Sequence, residues 1–447
     1  MKGLFYFYQI QMRVLKSIKI KNITTFKSNL LNWAQQFEHV AWLDSNKNES
    51  KTGISKYDAV LAVDSESILK LDYENAFEQL KEYHLKTNDY LFGYLGYDLK
   101  NDVEQLSSSN YDELNFDDLC FFQPKKIFFL KNNEVEVKYL SKYTSEIETD
   151  LKSILKSVIF IKENTNSEDN IKIKLRIHKD EYFNKVNAIL NHIHRGDIYE
   201  VSFCQEFYAE NSDINPLKVY HNLNEISTPP FATFLKLNSN YLLSASPERF
   251  LKRTNNTIIS QPIKGTTKRG ESEKEDEQLK RSLEMDLKER AENIMIVDLV
   301  RNDLSRTANK GTVKVAELCK VYSFKQVHQL ISTVIAEVES DKNSIDIIKS
   351  MFPMGSMTGA PKIAAMKIIE KLEETKRGLY SGAVGYFTPN GDFDFNVVIR
   401  SILYNANNNY ISYSVGGAIT SKSIPENEYE ECLLKAKAMR EVLLNTN

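Results

Sequence analysis

Lys264 stands in QPIKGTTKRG (261–270), directly before Gly265 and Thr266, at the predicted end of an apolar strand over 257–263. A lysine held beside glycine at a strand end can be partly desolvated, which lowers its pKa and makes its amine nucleophilic. A solvated turn lysine shows the same local pattern. Glu248, in SASPERF, closes another predicted strand (241–246). It is a candidate acid, but taken alone it reads as a surface ion-pair partner.

Two helices carry further carboxylates. In ENEYEECLLKAKAMREVLL (426–444), Tyr429, Cys432, Leu433 and Ala436 form an apolar stripe at helical spacing. Glu428, Glu431 and Lys435 share one face bordering that stripe, whereas Glu426 and Glu430 point elsewhere. The other helix contains KERAENIMIVDLVRNDLSR (288–306) with Glu292, and is apolar on every face from Ile294. Its second half is therefore expected to be buried, with Asp298, Arg301 and Arg306 in an internal ion-pair network. Carboxylates from two helices meeting at a cleft would suit Mg²⁺, which takes oxygen ligands and keeps several waters. Judged separately, each helix reads as a solvated charged face.

Two glycine-rich stretches remain. FPMGSMTGAPK (352–362) puts Gly359-Ala360-Pro361 at a predicted helix start, with Thr358 as the candidate N-cap. SVGGAI (414–419) is a strand running into Gly416-Gly417, where backbone N–H groups could hold a carboxylate. Neither matches a nucleotide-binding fingerprint, and structural glycines are the default reading for both.

These residues need elements to position them. Strands are predicted at 90–99, 119–130, 241–246, 257–263, 381–388, 393–404 and 410–415, and helices at 272–300, 360–376 and 426–444. In YFTPNGDFDFNVVI, Pro389-Asn390-Gly391-Asp392 makes a hairpin turn. The expected class is α/β of the α+β type, with substantial antiparallel pairing. The polar stretch 162–172 reads as a linker separating an N-terminal region (1–165) from a second region (173–447). Met12 is a plausible alternative start, which would make 1–11 an extension. The 447 residues carry a formal net charge of only −3, so no global basic field exists to hold nucleic acid or an anionic membrane. No segment reads as a signal peptide or a membrane span. Cys120, Cys204, Cys319 and Cys432 are scattered, without metal spacing, and read as reduced thiols of a cytoplasmic protein.

Taken together the motifs SPERF, PIKGT, ERAENIMIVDLVRND, GSMTGAPK, RGLYSGAVGYF, FNVVIRS, VGGAI and PENEYEECLLKA, in this order, resemble the chorismate-utilising enzymes. That family includes anthranilate synthase large subunits, aminodeoxychorismate synthase component I, and isochorismate and salicylate synthases. AWLDS (41–45) is similar to the family's short N-terminal motif containing a serine, here Ser45. The resemblance implies two packed antiparallel sheets with outer helices, as in anthranilate synthase component I, with 173–447 as the chorismate-binding domain. Within the family, the position of Lys264 is usually Ala in anthranilate synthases and Lys in aminodeoxychorismate synthases. Glu200, in GDIYEVSF, stands where isochorismate and salicylate synthases carry a water-activating lysine. Gln329 takes the place of a histidine tied to pyruvate elimination in anthranilate synthases, and His328 precedes it.

The resemblance therefore implies substitution of the C4 hydroxyl of chorismate by ammonia. Lys264 would attack C2 while Glu248 protonates the departing hydroxyl, with Gly265 and Thr266 lining the C4 side. Glu292 and Glu431, with Glu428 assisting, would bind Mg²⁺, which holds the ring carboxylate. Arg400, Tyr380 and the backbone from Gly416 to Ala418 would hold the enolpyruvyl carboxylate, and Lys435 would add charge. Ala418 departs from the family's usual Gly, but a backbone N–H contact survives that change. The sequence has no glutaminase segment, so the ammonia donor is expected to be a glutamine amidotransferase subunit. The alternatives are anthranilate synthase component I and a catalytically silent regulatory homologue.

Overall fold

A computed structural model describes residues 13–47, 57–157, 171–325 and 327–445. The predicted extension 1–11 and nearly all of the predicted linker at 162–172 lie outside these residues. All strand ladders among the described residues are antiparallel. The strand Leu119–Lys131 is the junction of the architecture. One of its edges carries Ala59–Leu71, and the other carries Leu91–Leu95 and Glu134–Leu140 in turn.

From Ala59–Leu71 one sheet runs through His39–Asp44, Phe231–Leu237, Asn240–Ser246, Ser401–Asn405 and Tyr410–Thr420 to Glu200–Ala209. From Leu91–Leu95 the other runs through Ala383–Phe387, Phe393–Val397, Arg249–Thr254 and Thr257–Gln261 to Val327–Glu337. Val327–Glu337 also carries Ile263–Lys268 and Lys314–Ser323. Strands from before and after residues 158–170 thus share hydrogen bonds in both sheets.

The two-residue period of a strand divides the core. Phe234, Leu243 and Ile402 pack outward with Val186, Val219 and Met439 from the helices Lys179–His194, Pro216–Ser227 and Pro425–Leu444. Their neighbours Leu235, Leu242 and Leu403 face inward, in a core shared with Phe92, Phe121 and Phe395 of the second sheet. This is the two-sheet, outer-helix arrangement that the sequence led us to expect. The turn at 389–392 closes the hairpin between Ala383–Phe387 and Phe393–Val397, with Gly391 at φ 84°.

Several boundaries differ from the sequence reading. The single helix expected at 272–300 is two helices, Glu273–Met285 and Leu287–Ser305. Asp286 separates them, because its side chain accepts from the N–H groups of Lys288 and Glu289 and starts a new helix. The second half of the latter helix is buried on one face only. Asp298 and Arg301 pair at 2.8 Å on the exposed side, so they are a surface pair and not an internal network. The buried ion pair here is Asp303 with Lys362, at 2.7 Å. Thr358 is not an N-cap. Its buried hydroxyl donates to the carbonyls of Met354 and Gly355, and the next helix, Lys362–Leu372, begins after Pro361. Gly359–Ala360 instead pairs with Val201 and Glu200.

Candidate active site

The predicted strand over 257–263 stops at Gln261, and a second strand, Ile263–Lys268, contains Lys264. Its register against Val327–Glu337 slips between Ile263 and Thr266, and Gly265 lies in the slip at φ 89°. This bulge turns the Lys264 side chain out of the ladder and into a cavity of about 680 Å³. A Cβ on Gly265 would lie 2.9 Å from Leu330 Cδ1 and 3.1 Å from Glu289 Oε2, so both space and backbone require glycine. The bulge is braced by Asn293 of Leu287–Ser305, whose amide donates to the carbonyls of Lys264 and Leu330. Lys264 is only 17 % exposed, and Glu200 Oε1 lies 4.0 Å from its Nζ.

Glu248 is no surface residue. It is 5 % exposed and accepts a 2.6 Å hydrogen bond from Ser356 Oγ. Burial pushes its carboxyl up to about 7, against the opposing pull of that hydrogen bond and of the Lys264 charge. A carboxyl poised near neutrality can donate a proton and take one back. Ser356 had no signal in the sequence, since it reaches Glu248 from a loop 108 residues away.

The expected strand 393–404 is broken in two, Phe393–Val397 and Ser401–Asn405, and Arg400 occupies the break at φ 53°. A non-glycine residue in that conformation is costly, and such strain concentrates at functional sites. The Arg400 guanidinium lines the cavity with no hydrogen-bonding partner among the described residues. Burial lowers its pKa, while Tyr380 and Glu431 act in the opposite direction. An unpaired, largely desolvated guanidinium is a receptor for an anion. Tyr380 lies beside it, with its hydroxyl donating to Cys204 Sγ at 3.5 Å.

The strand Tyr410–Thr420 continues through Gly416 and Gly417 instead of ending there. Beyond Ser412 it is paired on one edge only, by Glu200–Ala209, and it lines the cavity from Ser414 to Ala418. A Cβ on Gly417 would sit 3.2 Å from Glu428 Oε2, so glycine keeps this wall open. Lys435 Nζ donates to the Gly416 carbonyl at 2.7 Å and pairs with Glu431 at 2.5 Å.

The twelve residues expected to act in catalysis, substrate binding or metal binding all line this one cavity: Glu248, Lys264, Gly265, Thr266, Glu292, Tyr380, Arg400, Gly416, Ala418, Glu428, Glu431 and Lys435. Glu289 lines it too, and was missed, although it stands one turn before Glu292 on the same helix face. Gln329 also lines the wall, whereas His328 is fully buried between Ser323 and Asp276 and faces away.

Glu289, Glu292, Glu428 and Glu431 make one end of the cavity strongly acidic. Burial raises the Glu289 and Glu428 carboxyls; Glu292 and Glu431 raise Glu289 further, and Glu431 raises Glu428. Burial acts upward on Glu431 as well, but Lys435, Lys264 and Lys288 outweigh it and hold that carboxyl low. Lys288 answers the same field: burial lowers its pKa, yet the four carboxylates together raise it. Among the described residues no three acidic or histidine side chains already converge as a metal cage. The donor set is nonetheless oxygen-only and rich in negative charge, which fits a hard divalent cation.

One cavity thus holds a lysine, a neutralisable carboxyl, an unpaired guanidinium and an acidic cluster, a lining suited to a small anionic molecule. The chain belongs to the chorismate binding enzyme family, whose model matches residues 35–441. It is 36 % identical over 386 residues to a probable chloroplastic aminodeoxychorismate synthase of Oryza sativa subsp. japonica, covering 78 % of this chain and 43 % of that protein. It is 40 % identical over 253 residues to aminodeoxychorismate synthase component 1 of Escherichia coli (strain K12), covering 57 % and 55 % respectively. The chain thus spans about half the length of these relatives or less. The crystal structure of anthranilate synthase component I from Streptococcus pneumoniae TIGR4 superposes with a TM-score of 0.73 at 26 % identity, covering 85 % of this chain and 91 % of that one. No helix among the described residues is long and apolar enough to cross a membrane.

Proposed function

We propose that the protein is an aminodeoxychorismate synthase component I, converting chorismate and ammonia to 4-amino-4-deoxychorismate on the way to p-aminobenzoate and folate. The observation that carries this reading is Lys264 in the same cavity as Glu248, a buried carboxyl at about 7. In this reading Arg400, Tyr380 and the free edge of the strand at Gly416–Ala418 hold the enolpyruvyl carboxylate. Lys264 adds to C2 and Glu248 gives its proton to the departing C4 hydroxyl. Ammonia then adds at C4, expels the lysine and returns a proton to Glu248. Gly265 and Thr266 border the C4 side.

Mg²⁺ would be held by Glu292 and Glu431, with Glu428 assisting, and when bound it supplies positive charge for the ring carboxylate. Lys435 adds a second positive charge there. Ammonia comes from a glutamine amidotransferase, and the reaction runs in the cytoplasm, where the four buried free cysteines remain thiols.

Anthranilate synthesis shares the site but needs pyruvate elimination, and the group at the cavity wall here is Gln329, while His328 is occupied elsewhere. The deciding experiment is incubation of the purified chain with chorismate, Mg²⁺ and ammonium, with the product identified by mass. Retention of the enolpyruvyl group supports the proposal; release of pyruvate with anthranilate refutes it. Absence of any turnover would favour a silent regulatory homologue.

A further inference from the structure

One buried charged group near the cavity has no part in the chemistry described so far. Glu200 opens the strand Glu200–Ala209 and is 2 % exposed. Ladder partners on both sides, Ala360 and Thr420, fix its backbone. Its Oε1 faces Lys264 Nζ at 4.0 Å, and its Oε2 is buried without a hydrogen-bond partner. Glu200 does not line the cavity, whereas Lys264 does, so any effect on substrate passes through the lysine.

An amine can add to carbon only with its lone pair free, so a lysine paired with a carboxylate must first give up a proton. We propose that Glu200 is a positioning residue that accepts this proton, presenting Lys264 to the substrate as a neutral amine. The inference rests on the reading of Lys264 as a nucleophile. The Nζ–H bond breaks, its electron pair stays on nitrogen, and an O–H bond forms on Glu200. That pair then makes the C2–N bond, and the C4–O bond breaks as the hydroxyl leaves as water with the Glu248 proton. When ammonia adds at C4, the C2–N pair returns to Nζ and the new ammonium loses a proton to Glu248. Once expelled, Lys264 takes its proton back from Glu200, so the pair begins and ends each turnover as ammonium and carboxylate.

The geometry favours this use. A proton taken at Oε1, the oxygen that faces Nζ, displaces no hydrogen bond, because the Glu200 carboxyl makes none among the described residues. The charged surroundings agree. Burial raises the Glu200 carboxyl and Glu292 adds to the rise, with only Lys264 opposing, and Lys264 in turn faces Glu248 and Glu431.

Glu200→Gln keeps the shape and removes the acceptor. We expect kcat with ammonium at pH 7 to fall about 10- to 100-fold, with the KM for chorismate changed less than about twofold. Relative to the parent at each pH, the deficit should narrow from pH 7 to 9 as solvent takes over the proton. Glu200→Asp, which keeps the charge but widens the gap, should retain intermediate kcat. In a Lys264→Ala background at high ammonium, Glu200→Gln should cause no further loss. An unchanged kcat in Glu200→Gln, a deficit constant with pH, or an equal loss in the Lys264→Ala background would each overturn the proposal. Should Glu200→Gln fail to fold, Glu200→Asp carries the test, and parent-like kcat in that variant is then the overturning result. Full kcat in Lys264→Ala alone would instead refute the nucleophile reading, a separate failure that the single variant identifies.

Discussion

Ser356 Oγ lies 2.6 Å from Glu248 Oε1, a hydrogen bond that joins the 352–362 loop to the turn between Asn240–Ser246 and Arg249–Thr254. This hydroxyl and the Lys264 charge restrain a carboxyl that burial has raised to about 7. Removing the hydroxyl therefore raises it further. A proton donor must hold its proton, so kcat declines as pH climbs through this value. In Ser356→Ala the alkaline limb of the kcat–pH profile should move up by about one unit. A limb that stays in place or moves down would show that Ser356 does not tune Glu248.

The same carboxyl has a stability signature. Its folded pKa lies above the unfolded value of 4.5, so its contribution is intact below that pH and is lost as pH rises through about 7. Glu248→Gln, which cannot ionise, should gain in thermal midpoint relative to the parent between pH 5 and pH 9. The gain is on the order of 2–3 kcal/mol at the alkaline end. Parallel melting curves across that range would contradict it.

Lys264→Ala should lose kcat by at least about 100-fold while chorismate binding changes little, because the lysine's bond forms only after the substrate is seated. High ammonium should restore part of the turnover by direct attack at C4. Intact-mass analysis should find a substrate adduct on the parent chain and none on the variant. An Ala variant with the parent's kcat makes Lys264 a bystander, and with it goes the main argument for aminodeoxychorismate over anthranilate.

Glu292→Gln or Glu431→Gln should weaken Mg²⁺ binding and reduce turnover severely, with partial recovery at raised Mg²⁺. Titration calorimetry of Mg²⁺ against parent and variants reads the binding directly. Undiminished activity after exhaustive chelation is the result that would end the metal assignment.

Away from the chemistry, Lys362 is 9 % exposed and its ammonium is held by Asp303 and by the Met351 carbonyl. Lys362→Met leaves Asp303 buried without its cation and should destabilise the fold by about 3–5 kcal/mol. Adding Asp303→Leu should recover much of that loss. Urea unfolding of the single and double variants checks both.

What the sequence decided by itself was chemical. Residue types and spacing made Lys264, Glu248 and the glutamates of two helices candidates, the resemblance of eight ordered motifs supplied their expected roles, and strand alternation with the Pro389–Asp392 turn indicated antiparallel pairing. Helical periodicity grouped Glu428, Glu431 and Lys435 because that grouping is local, set within two turns of one helix. Tertiary structure decided where these groups meet and what state they are in. Glu248 reads locally as a surface acid, and only the covering loop with Ser356 buries it and moves its carboxyl to about 7. Lys264 looked like the end of a strand, whereas a register slip against Val327–Glu337 inside the next strand is what aims it inward. Arg400 sits in a run that reads as one continuous strand, and its left-handed backbone falls where the chain passes from one sheet to the other. Asp298 and Asp303 lie in the same apolar run, and which one is buried depends on the partner presented across the interface, Lys362. Burial and long-range register depend on residues distant in the chain, so local pattern names the groups but leaves their protonation and direction to the fold.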